Sequence, residues 1–190
     1  MTVPSLLAGL ALSPTAAARA FLPPGIPPET VSEAPHFSNL EAEPVGCVAV
    51  VTGRTAQDRS EKVVAAHMRV YDYAKATGLK MGPGALEMSM RYENADGTWV
   101  MQACRSLQAL PESTGPEAAD IAFKTIPAGR AVQALHRGSH ETIKAAVDKV
   151  EAFISANRLS WKGPLVEYHF NHKPPEEEHL QISVVTVYVD

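Results

Sequence analysis

The sequence predicts an α+β fold in which one unit, made of a strand, a helix and two further strands, occurs twice along the chain. Three observations carry this prediction. The order of elements is the same in both halves of the chain. A glycine ends the first strand of each unit, at Gly53 and Gly138, and a Gly-Pro pair precedes the second strand, at Gly82-Pro83 and Gly163-Pro164. An internal duplication explains this agreement better than chance.

The second unit has the clearer signals. Apolar residues recur at helical spacing after Gly138, with Ser139 as a natural N-cap and Asn157 as a residue that can end a helix in the left-handed conformation. β-branched residues dominate the last segment of the chain, as is typical of a strand. The predicted strands of this unit are Ile126–Leu135, Leu165–Phe170 and Ile182–Val189.

The first unit follows the same plan with weaker signals. An apolar helix face is formed by Val63, Ala66, Val70 and Ala74, and Gly78 stands where a C-terminal glycine stops a helix. The predicted elements are a strand at Val45–Thr52, a helix at Asp58–Thr77, and strands at Leu86–Tyr92 and Trp99–Leu107.

Several spaced motifs of the second half resemble the gyrase-inhibitor-like (GyrI-like) family of effector-binding domains, which also serves bacterial multidrug-sensing regulators. The motifs are Pro127-Ala128-Gly129, His136-Arg137-Gly138, Gly163-Pro164, Glu167-Tyr168-His169 and Pro175-Glu176-Glu177-Glu178. The resemblance implies two tandem repeats of the SHS2 type. They would form one pseudo-twofold domain with antiparallel sheets and two helices that flank a groove. His169 departs from the family pattern, which favours tyrosine at that place.

The domain organisation follows from the same reading. We expect a leader and proline-rich linker at residues 1–43, and the effector-binding domain at residues 44–190. Within that domain, repeat 1 spans about residues 44–107, a linker spans 108–125, and repeat 2 spans 126–190. An apolar stretch within residues 1–20 ends in Ala-x-Ala, which is typical of a signal peptide, but it lacks a basic start. A cytoplasmic location is therefore favoured, and export is the alternative.

Composition limits the function classes. The net charge is −4 and no cluster of lysines and arginines occurs, so a direct nucleic-acid binder is not expected. No apolar run approaches the roughly 20 residues that a membrane span needs. The two cysteines, Cys47 and Cys104, are interpreted as small buried thiols, and a disulfide is the alternative if their strands lie side by side.

Glu167 is the sharpest candidate for a binding residue, because it interrupts an apolar strand. By alternation it shares one strand face with Leu165 and His169, while Val166, Tyr168 and Phe170 share the other. A carboxylate buried in an aromatic groove is costly unless it is paired, and a cationic ligand could supply the pairing. The further ligand-binding candidates are Glu87, Tyr71, Tyr92, Trp99, Trp161, Tyr168, His169 and Phe170.

The leading hypothesis is a small-molecule-binding protein that holds an amphipathic or aromatic ligand between the repeats, with a cationic ligand as the narrower case. The first alternative is a hydrolase that opens a strained electrophilic molecule in the same groove, since some proteins that resemble the family do so. Glu167, His169 and Tyr168 would then be the catalytic residues. No nucleophile elbow, phosphate loop or dinucleotide fingerprint indicates any other enzyme.

Two further alternatives come from the resemblance alone. The family name suggests a protein partner, DNA gyrase, for which the acidic run Glu176–Glu178 is the only supporting feature. A similarity to the haem-binding SOUL family suggests His36, His67 or His136 as an axial ligand, although no cofactor is otherwise expected. No histidine pair has metal-ligand spacing on a helix, so no metal site is predicted.

Overall fold

A computed structural model of the protein describes residues 32–52, 56–93, 99–139, 142–170 and 175–190. The side chains of residues 56–57, 83–93, 99, 175–176 and 178 lie outside this description. The backbone forms an antiparallel sheet with two helices, which confirms the predicted α+β class.

Eight strands and two α-helices make up the described elements. The first group is β1 at His36–Leu40, β2 at Glu43–Thr52, helix α1 at Ala56–Thr77, β3 at Met81–Glu93 and β4 at Trp99–Leu107. The second group is β5 at Ile121–Ile126, β6 at Gly129–Arg137, helix α2 at Lys144–Ala156, β7 at Trp161–His169 and β8 at Ile182–Val189. Short 3-10 turns occupy Pro116–Ala118 and Pro175–Leu180.

The sheet order shows the duplication directly. The strands run β1-β6-β8-β7-β3-β4-β2-β5 across the sheet, and every neighbouring pair is antiparallel. The strands β1, β2, β3 and β4 correspond to β5, β6, β7 and β8. When each strand is exchanged for its counterpart, the result is the same order read from the other edge of the sheet. The order therefore has a pseudo-twofold relation centred on the β3–β7 pair, where Glu87 lies opposite Glu167.

The two edge strands cross between the repeats. β1 precedes the first unit in the chain but pairs with β6 of the second, and β5 precedes the second unit but pairs with β2 of the first. The sequence analysis predicted a linker at each of these places, because a short edge strand that pairs across repeats leaves little local periodicity. Each repeat is thus completed by a strand that the chain supplies next to the other.

A two-residue connection forces the sheet to curl. Pro127 and Ala128 alone join β5, at one edge, to β6, which is second from the other edge. Side chains from β2, β4, β5, β6, β7 and β8 consequently meet in one cluster that includes Val45, Ile126, Leu135 and Val166. We call this concave side the inner face, and the opposite side, which carries both helices, the helix face.

Each helix buries its apolar side on its own part of the helix face. Val63 and Ala66 of α1 pack with Val50, Met101 and Ala103 of β2 and β4. On α2, Ala146, Val150 and Ile154 pack with residues of β6, β7 and β8, among them Val132, Leu165 and Val185. The helical spacing that predicted both helices therefore reports burial against the sheet.

Local details differ from the sequence analysis at α2. The helix begins at Lys144 with Ile143 as the N-cap and no side-chain cap, so Ser139 is not the cap; its carbonyl instead accepts the backbone N–H of Thr142 at 3.1 Å. At the other end, Arg158 takes the left-handed conformation with φ of 56°, whereas Asn157 keeps φ of −92°. The predicted stop at Gly78 is confirmed by its φ of 71°.

The cysteines also differ from the favoured interpretation. Cys47 and Cys104 are directly opposed in the β2–β4 pair and form a disulfide on the inner face. The favoured interpretation, two buried thiols, was therefore wrong, and the alternative, a disulfide, is the one that the structure shows. The strands lie side by side with both β-carbons on one face, which is the condition that a bridge requires.

Candidate functional site

The two central strands lie between the helices. Helix α1 contacts β2 and β4 and only the near part of β3, and α2 contacts β6 and β8. β3 and β7 therefore lie between the two helices on the helix face, and we call the space above them, between α1 and α2, the groove. This is the place where the two repeats meet.

Glu167 lies on β7, one of the two strands beneath this groove, which we call its floor. It is only 6% exposed, and it shares the helix face with Leu165, which packs under α2. Its register partner on β3 is Glu87, whose side chain lies outside the description. The predicted alternation is confirmed, since Leu165 packs on the helix face whereas Val166 and Tyr168 lie on the inner face.

Arg59 supplies a charge partner for this buried carboxylate. Its Nη2 donates to Oε2 of Glu167 at 3.3 Å, and its side chain is 35% exposed whereas that of Glu167 is 7% exposed. A buried carboxylate needs a partner of this kind to offset desolvation. Arg59 is therefore the more exposed member of the pair.

His169 connects Glu167 to a buried hydroxyl. Nε2 of His169 is 3.8 Å from Oε2 of Glu167, and Nδ1 is 2.9 Å from Oγ of Ser183 on the neighbouring strand β8. Ser183 is 3% exposed. The His169 ring therefore hydrogen-bonds Ser183 on one side, whereas on the other side its distance to Glu167 exceeds that of a hydrogen bond.

The walls add apolar surface. Val64, Met68 and Tyr71 follow one another at helical spacing on α1 and are exposed. Tyr73 packs towards β5 on the other flank of the helix, so this stripe lies on the flank that faces the groove. Val147, which is partly buried against the α2 core, lies on the corresponding flank of α2, opposite to Phe153 and its β1 contact.

Some predicted site residues lie away from the groove. Tyr168 and Phe170 are on the inner face, in a cluster with Val166, so they do not join Glu167. Trp161 packs against the α2 core and donates Nε1–H to the Gly163 carbonyl at 2.8 Å. Glu167 is six residue steps further along β7, which is about 20 Å along a strand.

For three other candidates the description ends at the backbone. Glu87 and Tyr92 are on β3 and Trp99 begins β4, and their side chains lie outside the described residues. Tyr71 is described, and its position on α1 places it on the groove flank. The haem candidates His36, His67 and His136 lie on three different elements, β1, α1 and β6.

Sequence reasoning missed Arg59 and Ser183. Arg59 stands four residues before Val63, so helical spacing already places it on the sheet-facing side of α1. Ser183 alternates with Val185 and Val187, which face α2. A polar residue in the pattern of an apolar face was the available signal in both cases.

The inner face holds a second buried carboxylate. Oη of Tyr168 donates to Oε2 of Glu43 at 3.2 Å, while Oε1 of Glu43 is buried without a hydrogen-bond partner. Burial raises the pKa of Glu43, and hydrogen bonds from Ser106 and Tyr168 offset part of that rise. Burial also raises the pKa of Tyr188, which lies beside Tyr168, to about 12. No arginine or lysine takes part in this described cluster, unlike the Glu167 site.

Two kinds of feature are absent from the described part of the chain. No group of three histidine, cysteine, aspartate or glutamate side chains there could hold a metal ion. None of the described helices is both long enough and apolar enough to cross a bilayer.

Comparisons with known proteins give the fold but no family assignment. No family model matches the sequence, and no curated protein matches it. Among solved structures, the chain is similar to the C-terminal domain of EcmrR with a TM-score of 0.69 and 12% identity, covering 82% of this chain and 96% of that one.

Two further neighbours extend the comparison. A hydrolase from Listeria innocua matches with a TM-score of 0.58 and 11% identity over 85% of this chain and 94% of that one. SAV2435 bound to tetraphenylphosphonium matches with a TM-score of 0.51 and 10% identity over 82% of this chain and 93% of that one. The chain therefore shares its fold with structures that include a small-molecule complex.

Proposed function

We propose that this chain is a small-molecule-binding protein of the GyrI-like effector-binding type, and that it holds its ligand in the groove between α1 and α2. The observation that carries the proposal is Glu167, a buried carboxylate at the centre of the groove floor. It would anchor the ligand. The exposed apolar stripe of α1 beside this carboxylate supports the proposal, since small-molecule sites combine apolar walls with a few polar groups.

The charge arrangement supports a cationic ligand. In this structure the Arg59 guanidinium, itself partly exposed, balances Glu167. A ligand cation can take over that pairing if Arg59 swings into solvent, so that neither charge stays buried and unpaired. The exposed stripe of Val64, Met68 and Tyr71 would cover the ligand's apolar part, and the Tyr71 ring adds a cation–π surface.

The neighbours agree with this ligand class without deciding it. SAV2435 was solved with tetraphenylphosphonium, which is an aromatic cation. At 10% identity that likeness shows the fold alone, so the ligand class here rests on Glu167, Arg59 and the α1 stripe.

Calorimetric titration with tetraphenylphosphonium and with uncharged triphenylphosphine oxide tests the proposal. We expect the cation to bind and the neutral compound to bind at least about tenfold more weakly, the factor given by about 1.4 kcal/mol. Glu167→Gln should abolish that preference. Glu112→Gln, which changes an exposed loop carboxylate, is the matched control and should bind like wild type.

The variant Arg59→Met should change the affinity for the cation in the opposite direction from Glu167→Gln. Because the cation no longer competes with a guanidinium for Glu167, we expect tighter binding of tetraphenylphosphonium. Equal affinities in wild type, Glu167→Gln and Arg59→Met would remove Glu167 from the site. Haem addition and a gyrase supercoiling assay are the counter-screens for the two remaining alternatives.

A hydrolase is the second candidate, favoured by the line of Ser183, His169 and Glu167. Glu167 would orient a water molecule, and the His169 imidazole would donate a proton to the group that leaves as a strained ring opens. Tyr168 takes no part in this version, because it lies on the inner face. The expected result is turnover of a cyclopropane-containing electrophile that His169→Gln abolishes while ligand affinity is kept. If His169→Gln loses ligand affinity as well as turnover, His169 has a role in binding only.

A further inference from the structure

The inner face opens at one end into a cavity of about 660 Å³, which is within the range of small-molecule pockets. The Pro127-Ala128 turn and residues of β4, β5, β6, β7 and β8 line it. Apolar side chains dominate the lining, among them Val100, Ile126 and Pro164. The cavity is on the face of the sheet opposite to the groove that holds Glu167.

The two repeats differ at the residues that line this cavity. Gly129 of β6 stands in the position that Glu43 holds on β2, and Tyr188 of β8 stands where Ser106 is on β4, as the strand registers show. A β-carbon at Gly129 would already lie 3.2 Å from the Tyr188 ring. The absence of a side chain at Gly129 therefore lets the Tyr188 ring pack directly against the backbone of β6.

One cation lies inside this apolar cavity. Lys124 of β5 is partly buried and donates through Nζ to Oε1 of Gln102 on β4. Burial lowers the pKa of Lys124, and among the side chains that the structure describes no carboxylate contributes an opposing effect. A partly buried ammonium with an amide as its described partner retains unused hydrogen-bonding capacity, since it has three donors.

The other cations of the cavity rim are already engaged. Lys162 forms an ion pair with the Asp190 side chain, and Arg130 donates to the Asp190 carbonyl at 3.4 Å and lies 4.0 Å above the ring centre of Phe37. Lys124 is consequently the charge that a ligand inside the cavity would meet. One available cation in apolar surroundings fits a single negative charge on an apolar body.

We propose that this cavity is a second ligand site, and that it takes a monoanionic amphipath with a carboxylate head and an alkyl tail. The head accepts hydrogen bonds from Nζ of Lys124 and from the amide NH₂ of Gln102, whose Oε1 is already used. The tail lies along the apolar lining between the Pro127-Ala128 turn and Pro164. Anion and cation thus bind on opposite faces of one sheet.

Calorimetric titration with dodecanoate below its micelle concentration tests this site, and dodecyltrimethylammonium supplies the same tail with the opposite charge. Wild type should bind dodecanoate, and Lys124→Met should bind it at least about tenfold more weakly, as expected for one charge-assisted hydrogen bond. Lys124→Arg should recover most of the affinity. Lys149→Met, which removes an exposed lysine of α2, should bind like wild type.

The proposal for the cavity and the proposal for the groove can be refuted independently of each other. Glu167→Gln should leave dodecanoate affinity unchanged, since that residue is on the other face, whether or not the groove binds cations. Thermal unfolding of each variant checks that it folds. Absence of dodecanoate binding, equal affinity in Lys124→Met, or displacement of dodecanoate by dodecyltrimethylammonium would overturn the proposal.

Discussion

The two repeats share a backbone plan but place different chemistry at equivalent positions. The pair Cys47 and Cys104, which is a disulfide on β2 and β4, corresponds by register to Gln133 and Thr186 on β6 and β8. There the connection is a hydrogen bond of 3.0 Å from the Gln133 amide to the Thr186 hydroxyl. The duplication thus conserves the contact between two strands and not the bond that makes it.

The ligand sites that we propose also differ in what each repeat contributes to them. Glu87 and Glu167 face each other in the register at the centre of the relation, so the floor of the groove is shared between the repeats. Arg59 comes from α1, and the inner cavity opens beside Gly129 of the second repeat. In the two sites that we propose, the symmetric centre contributes to one common site, whereas the parts that differ between the repeats determine which ligand charge each face would accept.

Removing the disulfide should have the largest effect on stability. Cys47→Ala with Cys104→Ala frees a bridge between residues separated by 57 positions, and we expect the free energy of unfolding to fall by about 2–4 kcal/mol. Urea unfolding of the double variant against oxidised wild type measures it. An unchanged free energy of unfolding would mean that the bridge does not form in solution.

Breaking the charge pair of the groove should come next. Arg59→Met leaves Glu167 buried without its guanidinium, and we expect a loss of about 1–3 kcal/mol. Since Glu167→Gln removes the charge that needs a partner, the double variant should recover most of that loss. A double-mutant cycle by urea unfolding measures the coupling. Purely additive losses would show that the pair contributes nothing to folding.

How far the sequence determines this picture depends on whether a feature is local. The helices, the strands from β2 to β8 that belong to the units, and the burial of Glu167 follow from periodicity within a few residues. The partners of Glu167 and Cys47 do not, because 108 residues separate Arg59 from Glu167 and the disulfide needs the β2–β4 register. β1 and β5 were missed because their partners belong to the other repeat.

The inner-face carboxylate should respond to pH in a defined direction. Burial raises the pKa of Glu43, so the folded protein holds that proton more tightly than the unfolded chain. The resulting stabilisation is present below the unfolded pKa of about 4.3 and is lost as pH rises through the higher folded value. Glu43→Gln cannot ionise, so its unfolding free energy relative to wild type should grow between about pH 4 and pH 7.

Urea unfolding at both pH values provides this comparison. Glu112→Gln is the control, because that carboxylate is exposed and its substitution should leave the pH dependence of stability as in wild type. A difference that shrinks as pH rises would show that the Tyr168 and Ser106 hydrogen bonds outweigh the burial of Glu43.

The smallest effect is expected at the counterpart of the disulfide. Gln133 is 1% exposed, and although its amide donates to Thr186, its Oε1 is buried without a described hydrogen-bond partner. Replacing both partners by apolar residues of similar shape, Gln133→Leu with Thr186→Val, removes the hydrogen bond and the unsatisfied oxygen together. We expect the free energy of unfolding to change by less than about 1 kcal/mol.

The single variant Thr186→Val sharpens this last comparison. It leaves the Gln133 amide buried without its acceptor, so it should lose about 1–3 kcal/mol, more than the double variant. If the double variant instead loses as much as the disulfide variant, the hydrogen bond would be as necessary to the second repeat as the covalent bond is to the first. The small expected loss follows from the chemistry: a disulfide restricts the unfolded chain, whereas a hydrogen bond is replaced by water when the protein unfolds.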